Sequence, residues 1–204
     1  IRRPPRSTHC ISSAASDVYK RQGIICMIKI VDDFFENTML INIMHHIKTN
    51  CTFTPRFFEN YDIRDPVFNH SEGNESSPHW GDRYVLSSDK KLLDTFLKQA
   101  EKKFNIKIKD INPDCGIDLR NMEWFHPHQD FAKLNLLVML EGPVAVTNGT
   151  VFYTKGELDM HIGFRPNRAI LFPSMMFHSP HKSQVKHQRR YTCSIFILDY
   201  EDNK

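Results

Sequence analysis

The chain has 204 residues, of which 40% are hydrophobic, and its 27 basic and 24 acidic residues give a formal net charge of +3. This length and apolar content suit one domain with a sizeable core. No apolar run reaches the roughly 18 residues that a membrane-spanning helix requires, so we expect no membrane partner.

The first 22 residues, IRRPPRSTHCISSAASDVYKRQ, are rich in Arg, Ser and Pro and have no apolar periodicity. A stretch of this composition cannot bury an apolar face. Its wording also resembles the translation of a sequencing adaptor, whereas the alternative is a genuine basic tail or transit peptide. We therefore expect residues 1–26 to be a non-native or disordered tail, Met27 to be the true start, and residues 27–204 to form a single domain.

The positive net charge comes from this N-terminal stretch. Without residues 1–22, 22 basic and 23 acidic residues remain, and the net charge becomes −1. The charge is therefore no indication of a nucleic-acid partner.

The cysteines also bear on the compartment. Beyond Cys10 they are Cys26, Cys51, Cys115 and Cys193, which are widely spaced and form no CxxC motif. This pattern is typical of reduced thiols rather than of a disulfide scaffold or a zinc site. We therefore expect a cytoplasmic protein.

Two amphipathic helices are predicted in the first half of the chain. Apolar residues recur at helical spacing in two groups: Met39, Leu40, Ile43, Met44 and Ile47, and then Leu92, Leu93, Phe96, Leu97 and Ala100. Ser87-Ser88-Asp89 provides an N-cap for the second helix. Residues 54–81 are rich in Pro, Gly, Asn and Ser, which predicts a long loop between the helices.

After Asn105 the sequence consists of short β-branched and aromatic runs separated by turn residues. The predicted strands are 106–111, 117–126, 134–140, 144–147, 150–154, 159–163, 168–173 and 190–198. Eight strands at this spacing favour a mainly β fold, a double-stranded β-helix or jelly roll, with the N-terminal helices packed on one sheet. The runs LNLLVML and CSIFIL are apolar at nearly every position, as strands covered on both faces are.

A His-x-Asp pair, His128 and Asp130, follows the predicted strand 117–126. Such a triplet is expected about once by chance at this composition, so it is a weak signal alone. In a strand the two side chains would share one face. A second histidine, His178, would end a strand over 168–178. We favour it over His181, which follows Pro180, and we expect His126 to be a nearby or core histidine rather than a ligand.

The last predicted strand carries a polar face. Arg190, Thr192 and Ser194 alternate with Tyr191, Cys193, Ile195 and Ile197. A buried guanidinium requires an anion, and its planar fork suits a carboxylate. Arg189 has the opposite parity, so we expect Arg190 to be the inward residue. Two histidines and one carboxylate, with open positions left, are typical of non-haem Fe(II) oxygenases.

These residues resemble the Fe(II)/2-oxoglutarate-dependent dioxygenases, in particular small prolyl-hydroxylase-like members. The segments HQD, NLLVMLEG, NGTVFY, RPNRAILFPSMMFHSP and RRYTCSIFIL follow that family's order, and IKIVDDFF resembles its opening strand. The resemblance implies that His128, Asp130 and His178 bind Fe(II), and that Arg190 and Thr192 bind the distal carboxylate of 2-oxoglutarate.

The resemblance further implies the reaction. O2 and 2-oxoglutarate would be consumed, 2-oxoglutarate would be converted to succinate and CO2, and the substrate would be hydroxylated. One departure is clear, because many members carry a Tyr on the strand before His-x-Asp as a further co-substrate contact. Here that stretch is Arg120-Asn121-Met122-Glu123-Trp124, which leaves the further contact open.

Two other functions are compatible with the same pattern: a non-catalytic jelly-roll binding protein, and a cupin-like metal enzyme of another reaction type. The intact triad argues against the first, and Arg190 with Thr192 argues against the second. The substrate is not encoded in any recognisable motif. A peptidyl residue, a free amino acid, a nucleobase or another small molecule is possible, and no basic stripe favours nucleic acid.

Overall fold

The computed structural model describes residues 28–57, 79–120, 127–145, 148–181 and 189–203. Its strands, in chain order, are β1 (Lys29–Val31), β2 (Thr54–Phe57), β3 (His79–Val85), β4 (Ile106–Ile111), β5 (Gly116–Arg120), β6 (Leu134–Glu141), β7 (Gly149–Thr154), β8 (Glu157–Gly163), β9 (Arg168–Pro173), β10 (Phe177–His181) and β11 (Arg190–Asp202). The helices are α1 (Asn37–Asn50) and α2 (Lys90–Phe104).

The strands form two antiparallel sheets. The major sheet has the order β1-β9-β6-β11-β5-β3-β2, with β4 also paired to β11, and the minor sheet has the order β10-β7-β8. A cluster of buried side chains from both sheets lies between them: Met139, Phe152, Ile162, Phe164, Ile170 and Phe172. This arrangement is the predicted jelly roll.

Both helices pack on the outer face of the major sheet, as predicted. Each buries one apolar stripe, and these stripes share a core cluster with alternate residues of β6 and β11: Ile43, Met44, Ile47, Leu92, Phe96, Ala100, Phe104, Val138, Leu140, Cys193, Ile195 and Ile197. Asp89 is the N-cap of α2, because its Oδ1 accepts a hydrogen bond of 2.9 Å from the Leu92 amide. The predicted capping residue is thus confirmed.

Strand β6 shows how the apolar run LNLLVML is used. Leu136, Val138 and Leu140 lie on the helix side, whereas Asn135, Leu137 and Met139 line a cavity between the sheets. A strand covered on both faces needs apolar residues at nearly every position. The exception, Asn135, lies on the cavity face.

The structure corrects several strand predictions. Residues 54–81 were expected to form a loop, but their two ends form β2 and β3, which pair with each other. The strand expected over 168–178 is observed as two strands, β9 and β10, with a turn between them. Both β2 and β10 are sheet-edge strands that contain proline, Pro55 and Pro180, and edge positions tolerate a residue without an amide hydrogen.

Two predicted strands differ in extent. Residues 144–145 of the predicted strand 144–147 are not in a strand, and residues 146–147 lie outside the described part. The predicted strand 117–126 is observed over Gly116–Arg120 as β5, and residues 121–126 are not described. The expected tail, residues 1–26, and Met27 are likewise outside the described residues.

The segment after β1 is fixed to the sheet by polar contacts. Asn167, with a left-handed φ of 67°, accepts a hydrogen bond from the Phe35 amide and donates one to the Phe35 carbonyl. Asp32 is bound by two nitrogens of Arg168, at 2.6 and 2.9 Å.

The described cysteines Cys51, Cys115 and Cys193 have free thiols. Neither described helix is long and apolar enough to cross a membrane.

Candidate metal and co-substrate site

Three side chains that could hold a metal ion, those of His128, Asp130 and His178, line the cavity between the sheets. One donor atom from each of His128, Asp130 and His178 lies within 4.8 Å of the other two. Nε2 of His178 is 3.2 Å from Asp130 Oδ2, and Nε2 of His128 is 3.9 Å from Asp130 Oδ1. The structure therefore brings together the three residues that the sequence suggested as ligands.

The backbone that joins the two histidines differs from the prediction. His128 is not in a regular strand but in an isolated β-bridge with His178. The His128 amide donates to the His178 carbonyl at 3.0 Å, and the His178 amide donates to the His128 carbonyl at 2.9 Å. His178 also does not end the strand over residues 168–173, since a turn separates that strand from β10. His178 and His181 both belong to β10.

Hydrogen bonds orient the side chains of this group. Nδ1 of His178 is 2.9 Å from the Met176 carbonyl, and because a carbonyl only accepts, Nδ1 carries a hydrogen. Nε2, which faces Asp130, can therefore act as an electron-pair donor once it has released its own proton. Asn135 donates to Asp130 Oδ2 at 2.6 Å. Burial by itself would raise the pKa of Asp130, but the hydrogen bond and charge of His178, the charge of His128 and the Asn135 hydrogen bond lower it overall.

This donor set fits a divalent metal ion. Two imidazoles and one carboxylate supply three ligands, and a polar second layer orients them, as is usual around protein metal sites. Phe172 packs edge-on against the His178 ring at 4.9 Å, which shields that ring from solvent. His181 is elsewhere, with its ring 4.8 Å from that of His161. His126 lies outside the described residues.

The cavity beside these residues has a volume of about 260 Å³. Its wall includes Arg190, Thr192 and Ser194 of β11, so the predicted alternation of this strand is observed, and Arg189 is exposed. Apolar side chains contribute much of the remaining wall: Leu137, Met139, Phe164, Phe172 and Phe196. A polar group on one wall of a mostly apolar cavity is typical of a small-ligand site.

The Arg190 side chain is 4% exposed. One nitrogen of its guanidinium group, Nη1, donates hydrogen bonds to Asn148 Oδ1 and, at 3.2 Å, to the Gly149 carbonyl. Among the described residues, Arg190 Nε and Thr192 Oγ1 are buried without a hydrogen-bond partner. Burial, and then the charge of Arg120, lower the pKa of Arg190 to about 9.

These unsatisfied atoms fit a carboxylate ligand. A buried donor that has no acceptor is costly, and a carboxylate accepts from both a guanidinium and a hydroxyl. Arg190 and Thr192 are separated by one residue and line the same cavity. The chemistry of this wall is therefore that of an anion site.

Three polar residues of the site were not singled out from the sequence. Asn135 orients Asp130, Asn148 binds Arg190, and Arg120 lines the cavity as the register partner of Arg190. Asn135 interrupts an otherwise apolar strand, which is a readable signal. Asp118 and Arg120 alternate on β5 in the same way that Arg190 and Thr192 alternate on β11.

No protein-family model and no curated protein matches this chain. Solved structures do match. SnoN, a non-haem α-ketoglutarate-dependent epimerase from nogalamycin biosynthesis, aligns with a TM-score of 0.56 at 12% identity, over 93% of this chain and 83% of SnoN.

Two further structures have the same architecture. A prolyl hydroxylase from Trichoplax adhaerens, in complex with a peptide fragment of the hypoxia-inducible factor, aligns with a TM-score of 0.56 at 12% identity, over 91% of this chain and 89% of its own. HygX from Streptomyces hygroscopicus, with nickel, 2-oxoglutarate and hygromycin B bound, aligns with a TM-score of 0.57 at 9% identity, over 91% and 86%. This chain therefore shares the jelly-roll fold of these three structures.

Proposed function

We propose that this protein is an Fe(II)- and 2-oxoglutarate-dependent dioxygenase that hydroxylates a substrate. The observation that carries the proposal is the combination, in one cavity, of a His-Asp-His group and a buried Arg-x-Thr pair with unsatisfied polar atoms. The fold shared with enzymes that use 2-oxoglutarate supports it.

In this proposal His128, Asp130 and His178 bind Fe(II). Three protein ligands leave open positions on the metal for other molecules. With 2-oxoglutarate and O2 bound, the iron would supply the oxidative chemistry that forms succinate, CO2 and a hydroxylated product. The chain's own contribution is to hold the ligands in place through Asn135 and the Met176 carbonyl.

Arg190 and Thr192 bind the distal carboxylate of 2-oxoglutarate in this proposal. The guanidinium and the hydroxyl would satisfy the buried polar atoms that have no partner among the described residues. The apolar side chains Leu137, Met139 and Phe164 would contact the methylene groups of the co-substrate and exclude water.

The substrate is a small molecule or a peptidyl side chain. The fold neighbours differ in this respect, since one is bound to a peptide fragment and another to hygromycin B. Substrate choice in such folds lies in loops. The segments that we expect to determine it, 54–84 and 175–188, lie partly outside the described residues.

A succinate-release screen tests the proposed reaction. The protein is supplied with Fe(II), 2-oxoglutarate and air, and succinate is measured with and without amino acids, peptides, nucleosides and small metabolites. We expect O2-dependent succinate formation that a compound of one class increases, and that His178→Ala abolishes. If both iron and 2-oxoglutarate bind but no condition yields succinate, the protein is a binding protein rather than an oxygenase.

A further inference from the structure

A second arginine lies beside Arg190 in the cavity wall. Arg120, the last residue of β5, is the direct antiparallel partner of Arg190, the first residue of β11. Both side chains line the same cavity. Directly opposed residues have their Cβ atoms about 4.5–5.5 Å apart, so two arginine side chains on one face can reach a common ligand.

Burying two guanidinium groups side by side is unfavourable unless an anion compensates for their charge. The charge of Arg120 is one of the causes that lower the pKa of Arg190, after burial. Burial likewise lowers the pKa of Arg120, and the neighbouring charge of Arg83 contributes, whereas Asp118 and Asp130 oppose this decrease. Asp118 pairs with Arg83 and Arg120, and the Arg120–Arg190 pair that lines the cavity favours a further negatively charged group.

The acidic group that interacts with all three arginines is Asp118. Arg83 holds it with two hydrogen bonds, from Nε at 2.7 Å and from Nη2 at 3.1 Å. Asp118 Oδ2 also forms an ion pair with Arg120, whose Nη2 is 3.6 Å away. The Asp118 carboxylate is thus oriented mainly by Arg83, and it fixes Arg120 near the cavity without occupying the cavity itself.

We propose that Arg120 and Arg190 together bind the distal carboxylate of 2-oxoglutarate, because the two residues are directly opposed and line the same cavity. The assignment rests on the proposed function. It makes Arg120 a binding residue with a role equal in kind to that of Arg190. Asp118 and Arg83 are positioning residues that hold the second guanidinium in place.

Calorimetric titration under anaerobic conditions tests the assignment. The Fe(II)-loaded protein is titrated with 2-oxoglutarate and with 2-oxobutyrate, which keeps the 2-oxo acid end but lacks the distal carboxylate. Arg120→Met should weaken 2-oxoglutarate binding by about tenfold or more, as expected for loss of a charge-assisted contact, and should change 2-oxobutyrate binding by less than about twofold. Arg189→Met is the matched control on an exposed arginine and should match the wild type with both ligands.

A double variant adds an independent readout. If both arginines bind one carboxylate, the two substitutions are not independent. The double variant Arg120→Met/Arg190→Met should then lose 2-oxoglutarate affinity by a smaller factor than the product of the two single-variant factors. Fe(II) affinity should stay within about twofold in each variant. If Arg120→Met impairs folding, which its thermal midpoint will show, Arg120→Lys keeps the charge without the planar fork and should still weaken 2-oxoglutarate selectively.

Three results distinguish an incorrect assignment of Arg120 from an incorrect proposed function. Wild-type affinity for 2-oxoglutarate in a folded Arg120→Met variant overturns the assignment of Arg120 and leaves the proposed function intact. Equal losses for 2-oxoglutarate and 2-oxobutyrate overturn it too, because Arg120 would then act at the metal end or through the fold. Absence of any 2-oxoglutarate binding to the wild-type, metal-loaded protein refutes the proposed function itself.

Discussion

His128 and His178 are joined by a pair of main-chain hydrogen bonds, of 3.0 and 2.9 Å, although 50 positions separate them in the sequence. The bridge brings their imidazole rings to a centroid distance of 4.4 Å. The backbone therefore determines the spacing of the two rings. A pair held in this way would lose little conformational entropy on binding a metal.

The first prediction distinguishes the two histidines of β10. His178→Ala should abolish stoichiometric Fe(II) binding, since it removes a donor atom within 4.8 Å of the other two. His181→Ala should leave Fe(II) affinity within about twofold, because its ring contacts His161 instead. Anaerobic Fe(II) titration followed by metal analysis of the desalted protein measures both. Retention of one iron per chain in His178→Ala would contradict the assignment of the ligands.

The second prediction concerns Asn135, whose amide nitrogen is 2.6 Å from Asp130 Oδ2. Asn135→Leu has a similar volume but cannot orient the carboxylate, so Fe(II) affinity should fall roughly 10- to 100-fold. Thermal stability should be unchanged or higher, because Oδ1 of Asn135 is buried without a partner among the described residues. A parallel loss of stability and metal binding would instead indicate a structural role.

The third prediction concerns the form of the charge at Arg190. Lysine presents a point charge where arginine presents a planar fork, so Arg190→Lys should weaken 2-oxoglutarate binding by on the order of tenfold, and Arg190→Ala should weaken it much more. Fe(II) affinity should hardly change. Arg189→Ala is the matched control, since Arg189 is exposed. A loss of 2-oxoglutarate affinity in Arg189→Ala alone would reverse the inward and outward faces of β11.

The alternation of side chains between the two faces of a strand could be predicted from the sequence, because it depends only on neighbouring residues. The cavity face of β11, with Arg190 and Thr192, and the core face, with Cys193 and Ile195, follow from a period of two. The N-cap at Asp89 was predictable for the same reason, since a cap depends only on neighbouring residues. The local alternation pattern located the cavity face of β11.

Contacts between distant segments were not readable in this way. The His128–His178 bridge requires a non-strand segment to meet an edge strand, and no local pattern encodes that pairing. The opposition of Arg120 and Arg190 likewise depends on the register between β5 and β11. Register is set by the packing of the whole sheet, so one strand's sequence does not specify it.

The fourth prediction is a pH effect on stability at Asp32. Hydrogen bonding to Arg168 is the main cause that lowers the pKa of Asp32 below its ordinary value. A carboxyl group whose pKa is lowered by folding stabilises the protein above the unfolded pKa of about 3.9, and loses this contribution as the pH falls through its folded pKa. Asp32→Asn should therefore cost about 1 kcal/mol at pH 7, because the pair is partly exposed.

This difference should shrink as the pH falls below about 4, where the wild-type carboxyl group becomes protonated too. Chemical denaturation of the wild type and of Asp32→Asn, between about pH 3 and pH 7, measures this difference in stability. The range extends from below the ordinary aspartate pKa to neutral pH. A difference that stays constant with pH would show that Asp32 acts through packing rather than through its charge.

Anaerobic titration of the full chain with 2-oxoglutarate, in the presence and absence of Fe(II), tests the proposed metal and co-substrate site. The His-Asp-His group and Arg190 line one cavity, so a single ligand should contact both a metal bound there and Arg190. We predict one 2-oxoglutarate per chain, bound tightly only with Fe(II) present and no longer bound tightly in either His178→Ala or Arg190→Ala. Binding of 2-oxoglutarate that is equally tight without metal, or that survives both substitutions, would show that 2-oxoglutarate is not bound by the metal and Arg190.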